Sequence, residues 1–437
     1  MIIKRTKDFL SVITMIVILS GCSENFDGID YKPEIYDNNK YEEVYDKVPM
    51  LISMNNPYFI SITRGLGAIT TERDWVKNEL TYYVYSFLTN NYAYKGEIDY
   101  TQTYSPFTEE NPDTPIQCLM DDPKTGRGVA HTLLDNEMLD QNDKDITYYY
   151  SQSHQDYKYN IFAYAIDDAK IIGDLIRNKD NIQLDIEIDG TQDVITAVAR
   201  PTEEQINTID PEEDKWLFSN LLNGELVYST TTGHRGIFPI LNAKHQMSLF
   251  TFNIVGEDAM SDRIFVEEIY VMANKQWRLT VAANDTTKLG LTLPEGKKEK
   301  LEKMVLKEMT EEGNPSSIRP IDGNTYNVGK DETIENIGMG LLLPPQDKYD
   351  IYVRCRYPSL DSEGREINRY YTARYTLSHR VLGEDGLFKT VPFEAGAEYK
   401  VTMHIYGYQP IQLSIGGFAW SEPIEIILDE DDITNFE

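Results

Sequence analysis

The chain has 437 residues and a formal charge of −31, from 41 Lys plus Arg against 72 Asp plus Glu. At roughly 100–200 residues per domain the length fits two to three domains, and 41% apolar residues supply enough side chains for sizeable cores, which excludes wholesale disorder. The acidic balance argues against a nucleic-acid partner, because phosphate binding needs clustered Lys and Arg, while 30 Tyr and 3 Cys fit a β-rich exported chain better than a disulfide scaffold.

Lys4, Arg5 and Lys7 form a positive n-region, and Phe9 to Leu19 is an apolar run of 11 residues. At about 1.5 Å per residue that run is too short to cross a hydrocarbon core, so residues 1–21 read as a signal peptide. Leu19-Ser20-Gly21-Cys22 follows and resembles the bacterial lipobox. Small residues suit the signal peptidase, and the Cys22 thiol accepts diacylglycerol. Cys22 is therefore expected to be the lipidated first residue, with palmitate-type acyl chains that anchor at about 0.8 kcal/mol per buried CH₂. Losing Lys4, Arg5, Lys7 and Asp8 takes the mature chain from −31 to −33. The expected location is the outer membrane, surface-exposed. Cys118 and Cys355 lie far apart in sequence and are expected to be free thiols.

Residues 22–47 read as an acidic tether, with eight acids against three Lys between Ser23 and Lys47. Order begins at Val48-Pro-Met-Leu-Ile-Ser-Met54. There Val48, Met50, Ile52 and Met54 share one face at period two, and Pro49 disfavours a central strand. Ile62 to Ile69 is a loop with two glycines.

From there the pattern is strand, turn, strand. Leu80 to Phe87, Ile146 to Tyr150, Tyr157 to Ile166, Ile182 to Ile188 and Asp193 to Val198 are predicted strands of a first domain, 48–235. Met247 to Ile254, Phe265 to Met272, Arg278 to Ala282, Tyr349 to Arg356 and Tyr370 to Thr376 belong to a second, 236–437. Tyr399 to Tyr406, Pro410 to Ile415 and Ile424 to Leu428 complete it. Short strands at this density between Gly, Asp and Asn clusters suggest β-sandwiches. Glu204 to Leu222 and Lys297 to Met309 are predicted helices. The boundary is placed near Gly233 to Pro239.

Catalytic signatures are lacking. There is no Gly-x-Ser-x-Gly elbow, no His-Glu-x-x-His and no phosphate-binding glycine loop before a helix. The six His, at 131, 154, 234, 245, 379 and 404, show no metal-ligand spacing. His245 and His404 fall in predicted strands and are expected to be hydrogen-bonded structural residues. Asp140 to Asp145 lacks the Gly and Glu of a calcium loop. No enzyme activity, metal or cofactor is expected. Tyr148 to Tyr150 or Trp216 could form a glycan platform, though core packing is the usual fate of strand aromatics.

Several segments together resemble the fimbrillin superfamily, the type V pilus subunits of Bacteroidia. They are Thr63 to Ile69, Leu80 to Phe87, Tyr157 to Tyr164, Ile188-Asp-Gly-Thr-Gln-Asp193 and Lys244-His-Gln-Met-Ser-Leu-Phe-Thr-Phe252. The ending is the fullest match: Phe393-Glu-Ala-Gly396, Tyr399-Lys-Val-Thr402, Ile411 and Trp420, then a last strand before Asp429. The resemblance implies an all-β chain of two tandem transthyretin-like, Greek-key sandwiches. It also implies a lipoprotein precursor that is cut by a trypsin-like, Arg-specific protease and assembled with other pilus subunits by donor-strand exchange. Val48, Met50, Ile52 and Met54 would form the displaced leader strand, and the cut would fall between Arg64 and Gly65. Ile424, Ile426 and Leu428 suit either a donor strand or a plain edge strand of the second domain. The alternative is an uncut surface lipoprotein that binds a host or glycan ligand.

Overall fold

The computed structural model describes residues 48–54 except 49, 81–89, 100, 118–120, 125–134, 137–140, 150, 158–212, 215, 228–294, 296, 300–309, 318–320, 326–382, 386–407, 412–419 and 422–426. The first strands are β1 (Ser53–Met54), β2 (Thr81–Thr89), β3 (Cys118–Met120), β4 (Val129–Leu134), β5 (Glu137–Asp140), β6 (Lys158–Ala165), β7 (Lys170–Arg177), β8 (Asn181–Glu187) and β9 (Ile195–Ala199). Short helices α1 (Glu203–Asn207) and α2 (Thr230–Gly233) precede β10 (Ile240–His245).

One sheet runs β1-β10-β9-β6-β2-β4-β5, with β3 also beside β2. Its pairings are antiparallel except for β1 on β10, which is parallel. The side-chain period of two decides what each face buries. On β2, Tyr85 and Phe87 enter a large core, whereas Tyr82, Val84 and Leu88 enter a smaller second core on the other face. On β6, Phe162 and Tyr164 go one way and Tyr159, Ile161 and Ala163 the other. Every residue of β6 is therefore buried.

The second half adds β11 (Ser248–Gly256), β12 (Phe265–Ala273), β13 (Gln276–Ala283), β14 (Gly290–Thr292), β15 (Glu302–Val305), β16 (Lys307–Met309), β17 (Ile318–Pro320), β18 (Thr333–Ile334) and β19 (Leu341–Leu343). After these come β20 (Lys348–Leu360), β21 (Glu366–Leu382), β22 (Phe388–Val391), β23 (Ala397–Ile405), β24 (Gln412–Ala419) and β25 (Glu422–Ile426). One sheet is ordered β18-β11-β23-β24-β25 and another β15-β12-β20-β21-β22. Phe250, Phe252 and Val401 from the first share the large core with Val271, Ile351 and Val353 from the second, a sandwich of two sheets. The fold is all-β, as the sequence predicts.

Two expectations change. Lys297 to Met309 is not helical: β15 pairs with β12 in the register Tyr270↔Val305 to Ala273↔Glu302. Met304 and Leu306 are fully buried while Lys303 between their neighbours is exposed, so a period of two prevails over helix propensity. In Glu204 to Leu222 the helix α1 ends at Asn207, and 216–222 lie outside the described residues.

Hydrogen-bonded sheet also crosses the expected boundary at 235/236. β10 pairs with β9 over five residues, and a sheet ordered β14-β13-β8-β7 takes strands from both sides of that boundary. Lys47–Glu437 forms one structural unit.

Candidate functional site

The short parallel strand at the start of the ordered chain lies in a groove built from distant segments. Ser53 and Met54 pair with Ile240 and Leu241 of β10, and the Ser53 amide donates to the Pro239 carbonyl at 3.0 Å. Upstream, the Tyr150 amide donates to the Val48 carbonyl, also at 3.0 Å. Val48 and Met50 are each 5% exposed, Ile52 packs against the second core, and Leu51 between them is 47% exposed. The predicted apolar face of this segment is thus the buried one, and its side chains help cover the second core.

Each pocket has an identifiable maker. A Cβ on Gly233 would come within 2.5 Å of Val48 Cγ1 and 3.2 Å of the Tyr150 ring, so only glycine leaves room for Val48. Gly233 is placed by a capping box at α2, in which the Ser229 side chain accepts from the Thr232 amide and the Thr232 hydroxyl oxygen accepts from the Ser229 amide. Met50 is met by the Ser86 hydroxyl of β2, which donates to its sulfur at 3.4 Å. The strand before β10 is tied to α1, where Gln205 Nε2 donates to the Phe238 carbonyl at 2.6 Å. The Tyr150 and Tyr159 rings lie 5.6 Å apart beneath the segment. Burial, then the neighbouring Tyr228 and Tyr159, push the Tyr150 hydroxyl far above the usual phenol range, so it stays neutral at any working pH.

Burying three aliphatic side chains is worth about 1.5–3 kcal/mol each against an extended reference. Two backbone pairs in a parallel ladder contribute less. The segment is held by its side chains more than by its hydrogen bonds. A strand with similar side-chain spacing can make the same contacts.

The motifs of the sequence resemblance meet in a second place. His245, at the end of β10, has Nδ1 2.8 Å from Asp193 Oδ2, and both residues are buried. Asp193 closes the Ile188 to Asp193 turn. There Gly190 has φ +95°, and a Cβ on it would meet Leu341 at 2.9 Å. Burial raises the Asp189 carboxyl, but hydrogen bonds from Lys307, Thr191 and Gln192 and the Lys307 charge outweigh it and hold the group below the usual carboxylate range. Across the sandwich, the Ser248 hydroxyl donates to the Glu394 carbonyl at 2.9 Å and the Gly396 amide to the Met247 carbonyl at 2.7 Å. The Glu394 amide donates to the Tyr399 hydroxyl at 2.9 Å. The motifs at 188–193, 244–248 and 393–399 are packing devices. His404 is likewise hydrogen-bonded, with Nδ1 2.6 Å from Glu257 Oε1.

Of the other expected site residues, Cys22, Arg64, Gly65 and Leu428 lie outside the described residues. Met54 takes part in β1 through its backbone. Ile424 and Ile426 sit in β25, an edge strand paired to β24 of the same chain in the register Gly417↔Ile424 and Ile415↔Ile426. Cys355 is a buried free thiol, pushed up to about 12 by burial, and thus unreactive. Among the described residues, no group of three or more His, Cys, Asp or Glu could hold a metal, and no helix is long and apolar enough to cross a membrane. Sequence reasoning missed Gly233, Tyr150 and Ser86 as groove residues. It also missed β10, although Leu241, Ala243 and His245 alternate with exposed residues.

No family model and no curated protein matches the chain. Among solved structures, a candidate cell adhesion protein from Bacteroides uniformis is similar at TM-score 0.38 and 10% identity, over 86% of this chain and 99% of that one. One from Parabacteroides distasonis gives TM-score 0.39 and 8% identity over 88% and 99%. The fimbrial anchor protein Mfa2 from Porphyromonas gingivalis gives 0.32 and 13% over 87% and 99%. Scores below 0.5 leave the fold and the site to be read from this chain itself. The solved structures that the chain is similar to are adhesion candidates and a fimbrial anchor of Bacteroidia, consistent with the fimbrillin resemblance of its sequence.

Proposed function

We propose that the chain is a structural, adhesive subunit of a type V pilus, exported as a lipoprotein precursor and assembled by protease-triggered donor-strand exchange. The observation that carries this reading is the groove: Val48–Met54 occupies it through pocketed side chains and only two ladder pairs. In this scheme Cys22 holds the precursor at the outer membrane. An Arg-specific protease hydrolyses the bond between Arg64 and Gly65, in the connection between β1 and β2. The leader segment then leaves. A strand from another subunit pairs with the freed edge of β10 and places alternate side chains in the pockets at Gly233 and Ser86, which is β-augmentation with specificity from side-chain spacing. The C-terminal segment with Ile424, Ile426 and Leu428 is assigned as the donor, resting on β24 before assembly. Assembly by strand replacement makes the subunit itself non-enzymatic.

Arg64→Ala tests the reading. It is expected to leave a full-length lipoprotein that folds normally and forms no high-mass ladder on surface extracts. Normal ladders from this variant would refute cleavage at Arg64 and make Arg73 the next residue to test. Cys22→Ser is expected to move the precursor to the soluble fraction, and continued acyl labelling of it would refute the anchor.

A further inference from the structure

The hairpin of β20 and β21 outruns the sheet that contains it. β12 accompanies β20 only as far as the Phe265↔Arg356 pair, and β22 joins β21 only from His379 onward. The β20–β21 ladder continues to Leu360↔Glu366. Its last four pairs form a two-stranded arm, about 14 Å long at roughly 3.4 Å per residue. The tip is rigidly closed, because the Arg365 amide donates to Asp361 Oδ1 at 2.9 Å and Arg365 Nε to Asp361 Oδ2 at 2.8 Å.

The arm carries side chains that a solvated hairpin does not need. Leu360 is 59% exposed, Tyr370 53% and Ile367 37%. Residues one apart along a strand face opposite ways, so Leu360 and Tyr370 show apolar surface on one face and Ile367 on the other. At the base, the Arg354 guanidinium lies 5.1 Å over the Tyr370 ring and that of Arg356 4.3 Å over Phe265, which orders the cations before any partner arrives. The charge is reversed relative to the whole. Between Lys348 and Arg380 there are seven Lys or Arg against four Asp or Glu, in a chain of net −31. Tyr and Arg beside exposed aliphatics are the composition of interface anchors.

The opposite composition occurs elsewhere in the chain. Between Ile166 and Glu212 there are twelve Asp or Glu against four Lys or Arg. Asp168, Asp174, Asp180, Glu203 and Glu204 of that segment are all exposed, on β7, its flanking turns and α1. A basic, aromatic arm and an acidic segment on one chain make two copies complementary.

We infer that the β20–β21 arm docks on the acidic Ile166–Glu212 segment of a second copy of this chain. The contact joins different surfaces of the two copies. It is therefore heterologous and extends into a row of subunits instead of closing as a dimer. It needs neither cleavage nor the leader groove, so it is independent of strand exchange.

Sedimentation velocity on the purified full-length Arg64→Ala chain in detergent tests this, since no exchange can occur there. At about 0.01 M salt, where the Debye length is roughly 30 Å, the protein is expected to associate. At about 1 M salt, where it is roughly 3 Å, the association is expected to vanish. Arg369→Glu combined with Leu360→Asp is expected to weaken association tenfold or more with an unchanged melting midpoint, because both side chains are exposed. Mixing that variant with Asp174→Lys/Asp180→Lys is expected to restore a mixed complex. A monomeric parent at low salt, or arm variants that associate like the parent, would overturn the inference. So would failure of the charge-swapped pair to recover. Arm variants that lose only heparin binding would instead make the arm a site for anionic polysaccharide.

Discussion

The two ends of the ordered chain are both edge strands, but they are held in different ways. The N-terminal β1 makes two parallel pairs with β10, and the residues before it bury Val48 and Met50 in pockets formed by Gly233, Tyr150 and Ser86. The C-terminal β25 makes five antiparallel pairs with β24. A ladder accepts almost any backbone, whereas pockets read side chains. The comparison teaches that exchange specificity belongs to the N-terminal groove. The C-terminal strand is a generic piece of sheet that can rest at home or serve elsewhere.

The largest effect is expected from deleting residues 48–54 in the full-length chain. Uncovering three aliphatic contacts removes up to about 5–9 kcal/mol, with the denatured-state correction lowering that figure. The face of Tyr82, Val84 and Ile161 should then bind a hydrophobic dye, and a synthetic peptide of residues 48–54 should restore the melting midpoint. If the deletion melts like the parent, the pockets do not hold the strand.

Truncation after Pro423 tests the other end. Removing the rest of β25 strips paired residues from an edge and is expected to lower stability by roughly 1–3 kcal/mol. That is smaller than the N-terminal deletion and should not be rescued by the 48–54 peptide. A larger loss than at the N-terminus would invert the comparison.

Single substitutions sharpen it. Met50→Ala is expected to lower stability by about 2–3 kcal/mol, and Leu51→Ala, one residue away but half exposed, by less than about 0.5 kcal/mol. Equal effects at the two positions would show that the segment is held by its backbone.

The smallest expected effect lies at the Ile188–Asp193 turn, away from both ends. The Asp189 carboxyl is held below its ordinary range in the folded chain, so its ionised form adds stability above the ordinary carboxylate pKa. That contribution is lost as the pH falls through the lowered folded value. Asp189→Asn should therefore lower the melting midpoint slightly at neutral pH, and the gap to the parent should close in acid. A gap that persists at about pH 2, below both values, would mean that the hydrogen bonds of the turn, not its charge, carry the stability.

Much of this was legible in the sequence because it depends on local periodicity. The alternation Val48, Met50, Ile52 around exposed Leu51 follows from a side-chain period of two, and the strands at 81–89, 158–165 and 397–405 read in the same way. His245 and His404 in strands, without metal spacing, were readable as hydrogen-bonded residues. Other features depend on partners distant in sequence. Lys297 to Met309 contains residues compatible with a helix, and only the free edge of β12 makes part of it a strand. Gly233 follows three threonines, and its meaning appears only when Val48 arrives from 185 positions away to fill the space where its Cβ would be. The boundary shifted for the same reason, since β10 completes a sheet whose other strands lie before it. Thus the sequence by itself determined which faces are apolar and what class of fold they build. The tertiary structure alone decided which edge receives the leader strand and which side chains shape its pockets, because pairing and close packing are set by chain segments that no local pattern connects.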